Sequence, residues 1–128
     1  MLSIRSRDEQ VIRKVLAGRT EEFGVLVERY LPVVHAVGCA HLGNAADAED
    51  VAQETFLKAY QQLDALRERR KFAAWLASIA RNACRNLRRS RARESERVRE
   101  AASQAEAEAP DADREELRAL VRSKVAEL

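Results

Sequence analysis

The chain of 128 residues is predicted to be all-α, a compact bundle of about four helices followed by a flexible acidic linker and one stray helix. Three observations carry that prediction. Glycine and proline together number six and aromatics make up 5%, which favours long helices over a turn-rich sheet. Charged residues reach 34% and fall between apolar positions spaced by three and four, the mark of amphipathic helices. The length suffices for one core of ordinary size with a tail left over. The bundle is assigned to residues 1–93, the linker to 94–112 and the last helix to 113–128.

Ser6 and Glu9 have capping-box spacing, and Val11, Ile12, Val15 and Leu16 follow on one face until Gly18 stops the first helix. Thr20 is read as the cap of a second helix, with Glu21 and Glu22 in its first turn. Its buried stripe is Phe23, Leu26, Val27, Tyr30, Leu31, Val34 and Val37, and Pro32 is expected to kink it. Gly43 and Asn44 form a turn, in which Asn44 caps the third helix. That helix turns Ala48, Val51, Ala52, Thr55, Phe56, Ala59, Tyr60 and Leu63 inward, and Asp47, Asp50, Gln53 and Glu54 outward. The run from Asp64 to Lys71 breaks the pattern and reads as a charged loop. Phe72, Trp75, Leu76, Ile79, Ala80, Ala83 and Leu87 then define a fourth helix with Trp75 mid-stripe.

Beyond Arg93 the composition shifts to Glu, Ala, Ser and Gln with a lone Pro110, too polar to bury its own surface, and a mobile linker is expected. Leu117, Leu120, Val121, Val125 and Leu128 restore a helical stripe without a partner for it, as the first helix of a second domain would.

The net charge of +2 hides blocks of opposite sign. Asp64 to Arg99 holds twelve basic residues against four acidic, while Glu100 to Glu116 holds seven acidic against the single Arg114. Between Asn44 and Phe56 every charge is negative. A basic block points to a polyanion and an acidic helix to a basic protein partner.

Enzymatic chemistry finds little support. The acids of the third helix have no His or Cys alongside, and neither a phosphate-cradling glycine loop nor a nucleophile elbow occurs. His35 and Cys39 share a helix face, but His41 points elsewhere, leaving two ligands where a structural zinc takes four. No metal, cofactor or catalytic residue is assigned. Cys39 and Cys84 form no disulfide framework, no signal peptide is evident, and no apolar run is read as a membrane span, so a cytoplasmic location is expected.

Two surfaces remain. On the fourth helix Ser78, Arg81, Asn82, Arg85, Asn86, Arg88 and Arg89 project away from the apolar stripe, and no acid occurs between Lys71 and Arg93. Arginine forks suit phosphates and base edges, asparagine amides read bases, and serine adds a phosphate contact. An ordinary solvated face intersperses signs, so nucleic-acid contact is the better reading. The preceding loop adds Arg67, Arg69, Arg70 and Lys71, and a loop beside a basic helix can form a pocket for an unstacked base.

These residues also resemble a known family. Asp47-Ala-Glu-Asp-Val-Ala-Gln-Glu-Thr-Phe-Leu-Lys-Ala-Tyr60, then a loop, then Phe72-Ala-Ala-Trp-Leu-Ala-Ser-Ile-Ala-Arg-Asn82 resembles the region-two domain of bacterial extracytoplasmic-function sigma factors of the sigma-70 family. The resemblance covers about Asp8 to Arg93, and Val11 to Phe23 with Glu28-Arg-Tyr30 is similar to the family's first conserved region. It implies a transcription initiation domain that docks on core RNA polymerase. Asp50, Gln53 and Glu54, with Asp47 a weaker candidate, would bind the β′ clamp helices. The loop Leu66 to Lys71 would capture a base flipped from the non-template strand of the promoter minus-ten element, while Arg81, Asn82, Arg85 and Asn86 contact neighbouring bases and phosphates. The family's loop often carries glycine and small polar residues; here it reads Arg-Glu-Arg-Arg-Lys, so base choice does not carry over. Asp113 to Leu128 would open the family's second, helix-turn-helix domain, and an anti-sigma factor is a possible further partner. The rival readings are a duplex DNA or RNA binder that works without polymerase, and a helical module that meets only other proteins.

Overall fold

The computed structural model describes residues 4–108 and 111–127, and every regular element among them is helical. The order is α1 (Ile4–Leu16), α2 (Phe23–Leu42), α3 (Ala45–Gln61), α4 (Phe72–Glu108) and α5 (Asp111–Ala126), with 3-10 turns at Thr20–Glu22, Leu63–Ala65 and Arg69–Lys71. The chain divides into two compact units, Met1–Arg89 and Ser90–Leu128.

The ends of the helices follow from local hydrogen bonding. α1 starts at Ile4, so Ser6 lies within it rather than capping it. Its expected stop at Gly18 holds: Gly18 N–H donates to Val15 O and Arg19 N–H to Lys14 O, each at 3.0 Å. Gly18 takes a φ of 107°, a conformation that disfavours any residue with a Cβ. Thr20 does not cap α2. Glu22 N–H donates to Arg19 O at 3.1 Å, which winds Thr20–Glu22 into a 3-10 turn that feeds directly into α2. α2 runs on through Pro32 and closes at Gly43, whose N–H donates to Cys39 O at 2.9 Å. Asn44 caps α3 as its sequence position predicts, its Oδ1 accepting from Asp47 N–H at 2.8 Å.

The core of the first unit lies where α1, α2, α3 and the start of α4 meet. Ile12, Leu26, Leu63, Phe72 and Leu76 are its largest fully buried apolar side chains. Phe72 joins Tyr30 and Trp75 in an aromatic row, with ring centroids 5.5 and 5.9 Å away. A second small cluster, Val51 with Ala83 and Cys84, fastens α3 to α4. α1 is pinned to α2 by a polar contact in which buried Asp8 accepts from Arg29 and from the Tyr30 hydroxyl.

Four expectations need correction. Asp47 does not sit on the outer face of α3: it is buried, and its Oδ2 accepts from Asn44 Nδ2 at 2.5 Å, closing the helix start reciprocally. Leu16, Leu31 and Tyr60 belong to apolar stripes by spacing yet are exposed, because they lie at the stripe margins; Tyr60 is covered on one side only, by Phe23 at a centroid distance of 5.2 Å. Thr20–Leu42 does reach the length and apolar composition of a membrane-crossing helix, with hydropathy 1.3. Its Phe23, Leu26 and Val34 enter the core and its Arg29 pairs with Asp8. Finally, the stretch read as a linker is helical as far as Glu108. Its Ala, Glu, Arg and Gln are strong helix formers, and Arg97–Glu94 and Arg99–Glu96 pair one turn apart at 3.6 and 3.9 Å. In the second unit Arg118 bonds Glu106, while Leu117, Leu120, Val121 and Val125 of α5 are exposed. Pro110 and Leu128 lie outside the described residues.

Candidate nucleic-acid interface

α4 presents its two faces as periodicity requires. Phe72, Leu76, Ala80, Ala83 and Cys84 are buried, while Ser78, Arg81, Asn82, Arg85, Asn86, Arg88 and Arg89 are exposed, Asn86 and Arg88 on the flanks toward α3 and α2. Ser78 Oγ donates to Ala74 O at 3.2 Å and accepts from Arg81 Nη2 at 3.3 Å, which lays the Arg81 side chain along the helix. Arg88 is engaged elsewhere, its Nη1 donating to His41 O at 3.3 Å and so satisfying a carbonyl in the last turn of α2. Arg85, Arg89 and Asn82 make no hydrogen bond or ion pair among the described residues and remain available to a ligand.

The loop ahead of α4 is more ordered than its lack of Gly and Pro suggests. Arg69–Lys71 winds into a 3-10 turn after Lys71 N–H donates to Glu68 O at 2.9 Å. Two hollows open there. One, of ≈ 360 Å³, is lined by Leu66, Arg67, Lys71, Trp75 and Ser78 among others. The other, of ≈ 580 Å³, is lined by Glu9, Arg67, Glu68, Arg69 and Arg70. Every basic residue singled out in the loop therefore borders a hollow. Trp75, placed mid-stripe and mostly in the core by its spacing, is half-buried and forms part of a wall. Glu9 was not legible as a site residue, because it reaches the loop from α1, about sixty positions earlier, through a tertiary contact that no local spacing encodes.

On α3, Asp50, Gln53 and Glu54 are exposed, whereas Asp47 is withdrawn into the helix cap. Asp50 and Glu54 share a groove of ≈ 290 Å³ with Lys58 and Asn86, so the acidic face of α3 adjoins the flank of α4 there. Gln53 borders a larger apolar groove of ≈ 790 Å³ between α2 and α3, lined by Phe23, Leu31, Leu57 and Tyr60 among others. The sequence carried one signal of this groove: Leu57 is a bulky apolar residue off the buried stripe. His35 and Cys39 lie together, Cys39 Sγ 3.7 Å from His35 Nδ1, and the described residues hold no cluster of three or more His, Cys, Asp and Glu for a metal. Burial pushes the Cys84 thiol above its ordinary value of 9.0, with the nearby Arg88 charge pulling in the opposite direction.

The bundle sets the exposed acids of α3 beside the stretch 72–93 of α4, which is basic and holds no acid. The chain belongs to the sigma-70 region 2 family, whose model matches residues 26–94, and its relatives are extracytoplasmic-function sigma factors. It is 38% identical over 71 residues to the ECF RNA polymerase sigma factor SigW of Bacillus subtilis, covering 56% of this chain and 38% of that one. It is 34% identical over 85 residues to the ECF RNA polymerase sigma-E factor of Escherichia coli, covering 66% and 44%. The chain thus spans less than half the length of these curated relatives. Among solved structures it is similar to an engineered region 2 of sigmaE determined by NMR in complex with GTAAAA, with a TM-score of 0.65 and 33% identity over 73% of this chain and 97% of that one.

Proposed function

We propose that the protein acts in transcription initiation by docking on core RNA polymerase through α3 and capturing promoter DNA through α4 and the loop before it. The observation that carries this reading is the adjacency of two exposed faces of opposite sign on neighbouring helices, with hollows at the basic loop. Asp50, Gln53 and Glu54 meet the basic β′ clamp helices. The loop takes a base flipped from the non-template strand of the minus-ten element, and Arg81, Asn82, Arg85 and Asn86 hold its neighbours. The hollow of ≈ 360 Å³ supports this step: Leu66 and Trp75 supply apolar surface for a base, and Arg67 supplies charge for its phosphates beside Lys71, which is paired with Glu68 at 3.2 Å. Trapping the extruded base offsets an unstacking cost of a few kcal/mol, about the scale known for flipped bases, so melting needs no bond chemistry from the protein. The reading places the domain in the bacterial cytoplasm with the polymerase. The apolar groove beside the acidic face gives further area to a protein partner, the class to which an anti-sigma factor belongs. The exposed stripe of α5 is the face that a second, promoter-reading domain would cover.

Retention on immobilised core polymerase tests the docking half. The wild type is expected to be retained, and Asp50→Arg and Glu54→Arg to be washed through with their helical content unchanged. Full retention of both variants would sink the docking reading. For the DNA half, one strand of a melted promoter segment is expected to bind more tightly than the duplex. The reverse order would favour a polymerase-independent duplex binder.

A further inference from the structure

The basic loop is tied to a residue that lies outside the matched family region. Glu9 on α1 places Oε1 3.3 Å from Arg70 Nε; the Glu9 side chain is 29% exposed and that of Arg70 75%. The neighbouring Asp8 is buried and fastens α1 to α2 through Arg29 and Tyr30. Two consecutive carboxylates thus link the scaffold to the loop: Asp8 fixes α1, and Glu9 fixes the turn Arg69–Lys71 to α1. The family model's match begins at residue 26, while the wider resemblance reaches back to about Asp8.

The sign of Glu9 is the informative point. It lines a hollow whose other charged walls are Arg67, Glu68, Arg69 and Arg70. A carboxylate there opposes a phosphate and so weakens binding of any single strand. What it supplies instead is order. Arg70 is long and largely exposed, and pairing through Nε restricts its rotamers while its terminal nitrogens project outward from the guanidinium.

We infer that Glu9 is a positioning residue for strand capture, presetting Arg70 and the turn Arg69–Lys71 so that the loop gives up general affinity and gains discrimination between strands. This rests on the proposed capture of a strand by the loop.

A randomised pool of single-stranded DNA hexamers, incubated with the full chain, separates the two quantities. Total DNA retained reads affinity, and sequencing of the retained pool reads enrichment of the preferred hexamers. Glu9→Gln is expected to retain more of the pool, by about two- to fivefold, and to lose enrichment by a similar factor, the scale of one exposed ion pair. Glu9→Asp, which keeps the carboxylate, is expected to retain part of the enrichment. A role in stability alone would lower the melting temperature and reduce retention and enrichment together, which would overturn the inference. So would a folded Glu9→Gln variant with wild-type enrichment; because the wild type would still select strands in that case, the capture reading would stand. A wild type that enriches nothing would remove both.

Discussion

Gly38 sits where α2 and α3 approach most closely: a Cβ built on it would lie 2.9 Å from both Cα and Cβ of Ala48. Neither atom is the end of a flexible side chain, so a methyl group there must push the helices apart. Gly38→Ala is expected to cost about 1–3 kcal/mol, the range for overpacking, and to lower the urea midpoint with little change in slope. Gly24 has open space at the same position, and Gly24→Ala is expected to stabilise by up to roughly 1 kcal/mol. A matching loss at both sites would show that helix contact is not the cause. Burial also sets a pH dependence. The folded state holds the Cys84 proton more tightly than the unfolded chain, whose thiol titrates near 9.0. The stability this contributes is fully present below 9.0 and is lost as pH rises through the raised folded value. Urea titrations across that window are expected to show wild type falling more steeply than Cys84→Ala. Parallel declines would mean that other groups govern the alkaline limb.

At the scale of the element, α4 divides its first turns between core and ligand. Phe72 is fully buried, whereas Trp75, one turn on, packs against it with one side and borders a hollow with the other. Phe72→Ala is expected to cost about 3–5 kcal/mol by the usual large-to-small series, and Trp75→Ala appreciably less. Trp75→Ala should nevertheless weaken strand binding in protein that is still folded, because it removes part of the wall. Equal losses of stability, measured by thermal unfolding, would put Trp75 back in the core. That division shows what was legible in the sequence. Spacing of three and four placed Phe72, Leu76, Ala80 and Ala83 inward and Arg81, Arg85 and Arg89 outward, because one helix face follows from the chain alone. Spacing did not tell Trp75 from Phe72, since the depth of burial depends on what covers a position. It also missed the withdrawal of Asp47, where Asn44 gives the carboxylate a local partner, and the contact from Glu9, which is tertiary. Propensity, by contrast, was present in the run of Ala, Glu and Arg after Arg93, and weighting it above polarity would have extended α4 toward Glu108.

For the first unit as a whole, the arrangement that matters is two charged faces carried by adjacent helices on one core. Because α3 and α4 are fastened by Val51, Ala83 and Cys84, a polymerase bound to one face, as proposed, would fix the position of a strand on the other. The faces meet at the groove where Asp50 and Glu54 lie with Asn86, so a strand held by Asn86 would run close to both carboxylates. Asp50→Arg is therefore expected to abolish polymerase retention and to bind single-stranded DNA somewhat more tightly than wild type, since a repelling charge beside the basic face becomes an attracting one. The double variant Arg81→Ala with Arg85→Ala is expected to behave in the opposite way. It should keep polymerase retention, lose strand affinity, and flatten the dependence of log affinity on log salt by roughly 1.4, two phosphate contacts at about 0.7 each for a single strand. Fluorescence anisotropy over a salt series, run alongside the polymerase pull-down, measures both. If either variant lost both activities while keeping its helical content, the faces would not be separable, and the domain would have to engage polymerase and DNA through one shared surface.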